Sequence, residues 1–180
     1  MDQDITRRNL GKLAAGVAAI GAMGLHAQAQ AAPMGEDWLD MIIMQHKEID
    51  RRLMALKSAT THAARMMAFK AFATYLTAHS VAEEVSVYPA IAITGAEVDA
   101  KQLYHEQDDA EILVGRIEHA LTMGHDDQIA PMLETLGTAL HAHVAEEEGT
   151  KFPALKSAAG PMMNAKLTAD FHATFARAVA

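Results

Sequence analysis

The sequence contains no cysteine. That absence excludes disulfides, thiolate metal sites and a cysteine nucleophile. Runs of β-branched residues are scarce and breaks are few; the chain is instead rich in Ala, Leu, Met, Glu and Lys, which favours helix. Basic residues are also in deficit. Of 23 acids and 15 bases, the first 32 residues hold two and three, leaving 21 against 12 and a balance of −9 over residues 33–180. Nucleic acid is bound through Lys and Arg that neutralise phosphates, so it is not an expected partner, and neither is an anionic membrane surface. No electron-transfer cofactor motif is evident, which counts against a self-sufficient reductase.

The N-terminus is composed differently from the remainder. Thr6-Arg7-Arg8-Asn9-Leu10-Gly11-Lys12 is followed by an uncharged, Ala/Gly-rich stretch, 13–34, with an A-x-A pattern near residues 27–31. A basic region, an apolar region and a small-residue cleavage site in that order read as a secretion signal. The Arg-Arg segment resembles the twin-arginine export signal of bacteria. Residues 1–32 are therefore expected to be a signal peptide handled by the twin-arginine export machinery, and the protein to be periplasmic. That route moves folded proteins, often with a cofactor already loaded.

Cap and turn residues divide the rest into helices near 35–57, 61–91, 97–123, 127–157 and 161–178. Four long helices with short links predict an all-α, up-down-up-down four-helix bundle over 33–160. Residues 161–180 form a fifth helix that packs on the bundle or on a partner subunit of a homo-oligomer. It carries Met163, Leu167, Phe171 and Phe175 in one row.

Two segments 64 positions apart, AHSVAEEVSVYPAI from Ala78 and AHVAEEEGTKFPAL from Ala142, share His, Glu, an aromatic–Pro pair and Ala at matching places. Stepping by three and four gives apolar seams that include His46 in the first helix, His79 and Glu83 in the second, and His143 and Glu147 in the fourth. A third-helix seam of Val98, Gln102, His105, Asp109 and Ile112 follows the same rule. A carboxylate in a bundle core costs several kcal/mol, roughly, unless paired or neutralised, and the seams of helices one, two and four carry no Lys or Arg. A metal answers both needs, since imidazole and carboxylate are its natural ligands. His46, His79, Glu83, His105, His143 and Glu147 are thus the expected ligands. Without sulfur they suit iron or manganese, with zinc the ordinary competitor, and their number suits two ions bridged by carboxylates. His141 should face away, and Glu84, Glu146 and Glu148 should be solvated. Tyr88 and Phe152 should close the bundle end rather than touch metal, and the prolines after them should bend or end each helix.

The order His46 … His79-x3-Glu83 … His105 … His143-x3-Glu147, with Tyr88-Pro89 and Phe152-Pro153, resembles the hemerythrin superfamily, and more closely its bacterial HHE cation-binding branch. The resemblance covers about residues 36–157. It implies a non-haem di-iron centre whose glutamates bridge the irons. One departure stands out. Oxygen-carrying hemerythrins have a histidine one turn after the third-helix histidine, where this chain has Asp109; Asp50 stands likewise one turn after His46. These aspartates are expected as weak extra ligands or as acceptors orienting an imidazole. The resemblance therefore implies a protein that binds O2 or NO at two iron ions. The alternatives are a di-iron redox enzyme (oxidase, peroxidase or NO reductase) and an iron-handling protein.

Overall fold

The computed structural model describes residues 37–180, so the expected signal segment, 1–32, lies outside the described residues. Among the described residues the secondary structure is entirely helical. The helices are α1 (Trp38–Ser58), α2 (His62–Ala82), α3 (Tyr88–Ile93), α4 (Glu97–Met123), α5 (Ile129–Glu146), α6 (Phe152–Ala158) and α7 (Pro161–Val179). A π-helical turn, Glu83–Val87, joins α2 to α3 without a break, and a second, Glu147–Lys151, joins α5 to α6. Four rods therefore make up the bundle, and α7 is the additional C-terminal helix.

Local chemistry explains the ends. The Asp37 carboxylate accepts from the backbone amides of Leu39 and Asp40 at 3.0 and 3.2 Å, capping α1, and Thr61 caps α2 through the Ala64 amide. Gly124 closes α4 at φ +73°, a left-handed position that favours glycine. The two prolines do not end their helices. In each case the backbone N–H of the preceding aromatic reaches back five residues, Tyr88 to Glu83 and Phe152 to Glu147. This widened turn displaces the carbonyl that a proline ring would meet in a regular α-helix.

Rods α1, α2–α3, α4 and α5–α6 pack each against its neighbours in turn, with α7 along α1 and α2. The C-terminal helix is anchored there by Phe171, fully buried, and by two hydrogen bonds from Trp38, one from its indole to Asn164 Oδ1 at 2.8 Å and one from its backbone to Thr168 Oγ1 at 3.1 Å. Burying Trp38 and Phe171 contributes about 1.5–3 kcal/mol each. The apolar core is split. One cluster gathers around Trp38, Tyr88, Phe152 and Phe171, the other around Leu53, Phe72, Ile117 and Leu136. Between them lies a buried polar layer of Gln45, His46, His79, Glu83, Gln107, His143 and Glu147.

Candidate metal centre

The polar layer is built by helix phase. On α1, α2 and α5 the seams read from the sequence are buried, so His46, His79 and His143 face inward, each less than one-tenth exposed. Glu83 and Glu147 begin the two π-turns and are completely buried.

On α4 the phase differs from expectation. The inward stripe is Ala100, Leu103, Gln107, Ala110, Ile117 and Leu121, whereas Val98, His105, Asp109 and Ile112 face solvent. His105 therefore does not join the cluster. The reason is apolarity: the observed stripe buries more hydrocarbon than the one through His105. Asp109 is exposed, and Asp50, also exposed, pairs with His141 Nε2 at 3.0 Å on the outer surface. Neither aspartate approaches the site.

Five residues come together in two overlapping sets, His46–His79–Glu83 and Glu83–His143–Glu147, with one potential ligand atom from each member within 4.8 Å of the others. His79 Nε2 lies 3.3 Å from Glu83 Oε2, His143 Nε2 3.2 Å from Glu147 Oε1, and His46 Nε2 3.3 Å from Glu147 Oε2 and 3.7 Å from Glu83 Oε1. All three rings turn Nε2 inward because Nδ1 is held from behind. His46 Nδ1 donates to Glu148 Oε1 at 2.7 Å, His79 Nδ1 to Gln45 Oε1 at 2.9 Å, and His143 Nδ1 to Glu106 Oε2 at 2.7 Å. Such outer acceptors fix a ring's tautomer and strengthen it as a ligand. Glu148 was expected to be solvated; only its position next to Glu147 hinted otherwise. Gln45 and Glu106 were not singled out by sequence reading at all.

Tyr88 was expected to close the bundle end. Instead its hydroxyl reaches the site, donating to Glu147 Oε1 at 2.7 Å, lying 3.3 Å from Glu83 Oε2 and 3.2 Å from His143 Nε2, and accepting from Gln107 Nε2 at 2.7 Å. Helical side chains lean toward the N-terminus, so a long phenol one π-turn beyond Glu83 points back at it. Phe152, its counterpart in the repeat, has no hydroxyl and packs edge-on against Trp38 at 5.7 Å.

The electrostatics are those of a site short of positive charge. No Lys or Arg pairs with Glu83 or Glu147 among the described residues; their close partners are the histidines. Burial works against a charged imidazole, yet the facing carboxylates outweigh it and raise His46 to about 10 and His143 to about 9. Burial, reinforced by His46 and His143, pushes His79 well down. Burial and Glu147 push Glu83 up, while Glu147, though buried, is held down by His143 and His46.

Four buried polar atoms in this layer have no hydrogen-bond partner: His46 Nε2, Glu83 Oε1, Gln107 Oε1 and Glu147 Oε2. The His46–Glu147 pair is close, but off the line of a hydrogen bond. Each orphan costs about 1–3 kcal/mol, and more where charged. Atoms that converge on common points rather than on each other are what cation binding requires, so the residues fit a bound metal. Beside His46, His79 and His143 lies a cavity of about 30 Å³, lined on one side by Ile49, Leu76, Ala110, Leu140 and Val144 and also by Ser80, Glu106, Gln107 and Glu111. It has room for roughly one or two water-sized molecules. A larger groove of about 320 Å³ near Arg116, His119 and His125 borders none of the site residues.

Comparison with known families decides the matter of kinship. The model of the hemerythrin HHE cation-binding domain matches residues 38–155. The chain belongs to that family. No curated protein and no solved structure matches it. Members of the hemerythrin-like domain bind metal cations, and the matched span, 38–155, contains all five converging residues together with Tyr88 and Gln107.

Proposed function

We propose that this hemerythrin-like chain holds two iron ions in the polar layer and binds a small diatomic ligand, O2 or NO, beside them. The observation that carries the reading is that His46 Nε2, Glu83 Oε1 and Glu147 Oε2 are buried and unpartnered within two three-residue groups that have Glu83 in common. His46, His79 and Glu83 would hold one ion, and His143, Glu147 and Glu83 the other. Ligands of nitrogen and oxygen alone suit iron, with manganese and zinc the competing occupants. Iron held by these residues would supply ligand binding and a change of redox state.

The chain's own residues do the rest. Glu148, Gln45 and Glu106 hold the three imidazoles in one tautomer and one orientation. Gln107 and Tyr88 restrain the two carboxylates. Ile49, Leu76, Ala110, Leu140 and Val144 give the adjoining cavity a largely apolar side, facing the polar side formed by the histidines, Ser80, Glu106, Gln107 and Glu111, where a small ligand would sit. A binding protein is favoured over a self-sufficient reductase because no electron-transfer cofactor motif is evident in the sequence. One observation supports the second reading, a di-iron redox enzyme: the Tyr88 hydroxyl places an exchangeable proton against Glu147.

Export by the twin-arginine route belongs to the same proposal, because that route carries folded, loaded proteins to the periplasm. It rests on Arg7-Arg8 and the segment that follows. Lysine substitution of both arginines should leave the protein in the cytoplasm of its host.

The deciding experiment is metal analysis of protein purified from its own host, with absorption spectra before and after O2, NO and peroxide. Two irons per chain with a reversible spectral change support the proposal. Less than one metal per chain sinks it, and irreversible bleaching with product formation favours the enzyme.

A further inference from the structure

The two ligand sets are unequal, and the inequality falls on the residue that breaks the repeat. The set His46–His79–Glu83 has two imidazoles, one of them from α1. The set Glu83–His143–Glu147 has one, because α4 offers the neutral Gln107 at this level where α1 offers His46. On that deficient side stands Tyr88. Its oxygen is within 3.3 Å of a ligand atom of every member of the second set and is completely buried with them. In the other half of the repeat the same place is Phe152, turned onto Trp38, so the phenol is present only where an imidazole is missing.

We infer that Tyr88 is a metal ligand: its phenol oxygen is the fourth donor to the second ion, making that position oxygen-rich and the other nitrogen-rich. The inference rests on the two-ion reading above and deepens it. On binding, the phenol O–H bond is exchanged for a bond to the metal and the proton leaves to solvent, as happens to acidic groups that coordinate multivalent cations. Gln107 Nε2, 2.7 Å from the oxygen, remains as a hydrogen-bond donor to it. The two ions are then chemically distinct. Harder, trivalent ions prefer the side of Glu83, Glu147 and Tyr88, and the side of His46 and His79 favours softer, divalent ones.

The test uses the full chain loaded with ferric iron, after its metal content has been measured. A tyrosinate-to-iron charge-transfer band in the visible and tyrosinate vibrations in resonance Raman are expected in the wild type. They should be lost in Tyr88→Phe and kept in Tyr104→Phe, whose hydroxyl instead donates to the Glu84 carbonyl. Wild-type protein with two irons and no tyrosinate vibration overturns the inference and leaves the two-ion reading intact. Persistence of the vibration in Tyr88→Phe also overturns it. Less than one metal per chain removes the reading beneath it. Should Tyr88→Phe not fold, the same spectra on Tyr75→Phe and Tyr104→Phe decide: a vibration kept in both belongs to Tyr88, the remaining tyrosine, and its loss in either overturns the inference.

Discussion

His46 Nδ1 and Glu148 Oε1 lie 2.7 Å apart although 102 positions separate them in the chain. The contact ties the first helix to the second π-turn and aims the opposite nitrogen of the ring at Glu83 and Glu147. Removing the carboxylate while keeping shape, in Glu148→Gln, should weaken metal binding about 10- to 100-fold without loss of helix. Competition against a chelator, with circular dichroism as control, measures both.

Substitution should separate the proposed ligands from bystanders equally sharply. His79→Ala and Glu83→Ala should each abolish or strongly reduce metal loading. His105→Ala and His141→Ala, both on the exposed surface, should not. A comparable loss in His105→Ala would mean that α4 is rotated so as to bring that histidine inward, and a comparable loss in His141→Ala would mean the same of α5.

Glu83→Gln separates stability from binding. It removes one of two completely buried carboxylates yet retains an oxygen that can accept from Gln107. Metal-free Glu83→Gln should gain stability relative to wild type as pH rises through about 7, where burial and Glu147 oppose ionisation of Glu83, and should bind metal worse. Chemical denaturation under chelator, beside metal titration, tests the pair of outcomes.

Acidity gives a prediction with a defined sign. In the metal-free protein His46 and His143 are raised to about 10 and about 9 from an ordinary 6.5, chiefly by Glu147 and Glu83 acting against burial. A raised folded value contributes stability that is fully present below about 6.5 and is lost as pH climbs through 9 and 10. Metal must displace the same protons, so loading at neutral pH should release protons and tighten as pH rises. Calorimetry in buffers of different ionisation enthalpy counts them.

The C-terminal helix reaches the site through Phe171, whose ring meets that of His79 edge-on at 6.3 Å. Phe171→Ala should cost about 3–5 kcal/mol and speed metal loss, since His79 loses the wall behind it. Thermal melts of the loaded and metal-free variant, with stopped-flow chelation, distinguish the two effects.

The seams of α1, α2 and α5 were legible in the sequence because each mixes large apolar residues with one histidine at helical spacing. Ile49, Leu53 and Leu56 leave no other face for His46 to share. The third long helix offered two stripes with the same three–four rhythm. The one through His105 was favoured by chemistry and family likeness, the one through Leu103, Gln107 and Ile117 by apolarity, and apolarity governs burial. The π-turns were not legible from helical periodicity, which assumes a constant 3.6. Their signature was the repeated interval from glutamate to aromatic–Pro, which places Tyr88 where its phenol returns to Glu83. Gln45, Glu106 and Glu148 were hidden for a different reason: half-exposed or polar residues beside a ligand look like solvated neighbours until the facing helix is known.

The division of the apolar core by its polar layer has a consequence for how the molecule breathes. The four unpartnered atoms lie in the layer between the two clusters, so the metal-free protein should open there most readily. Metal bound there would act as a rivet across that layer. Amide hydrogen exchange should show two separately opening halves when the protein is stripped, and a single unit, opening only with global unfolding, once the rivets are in.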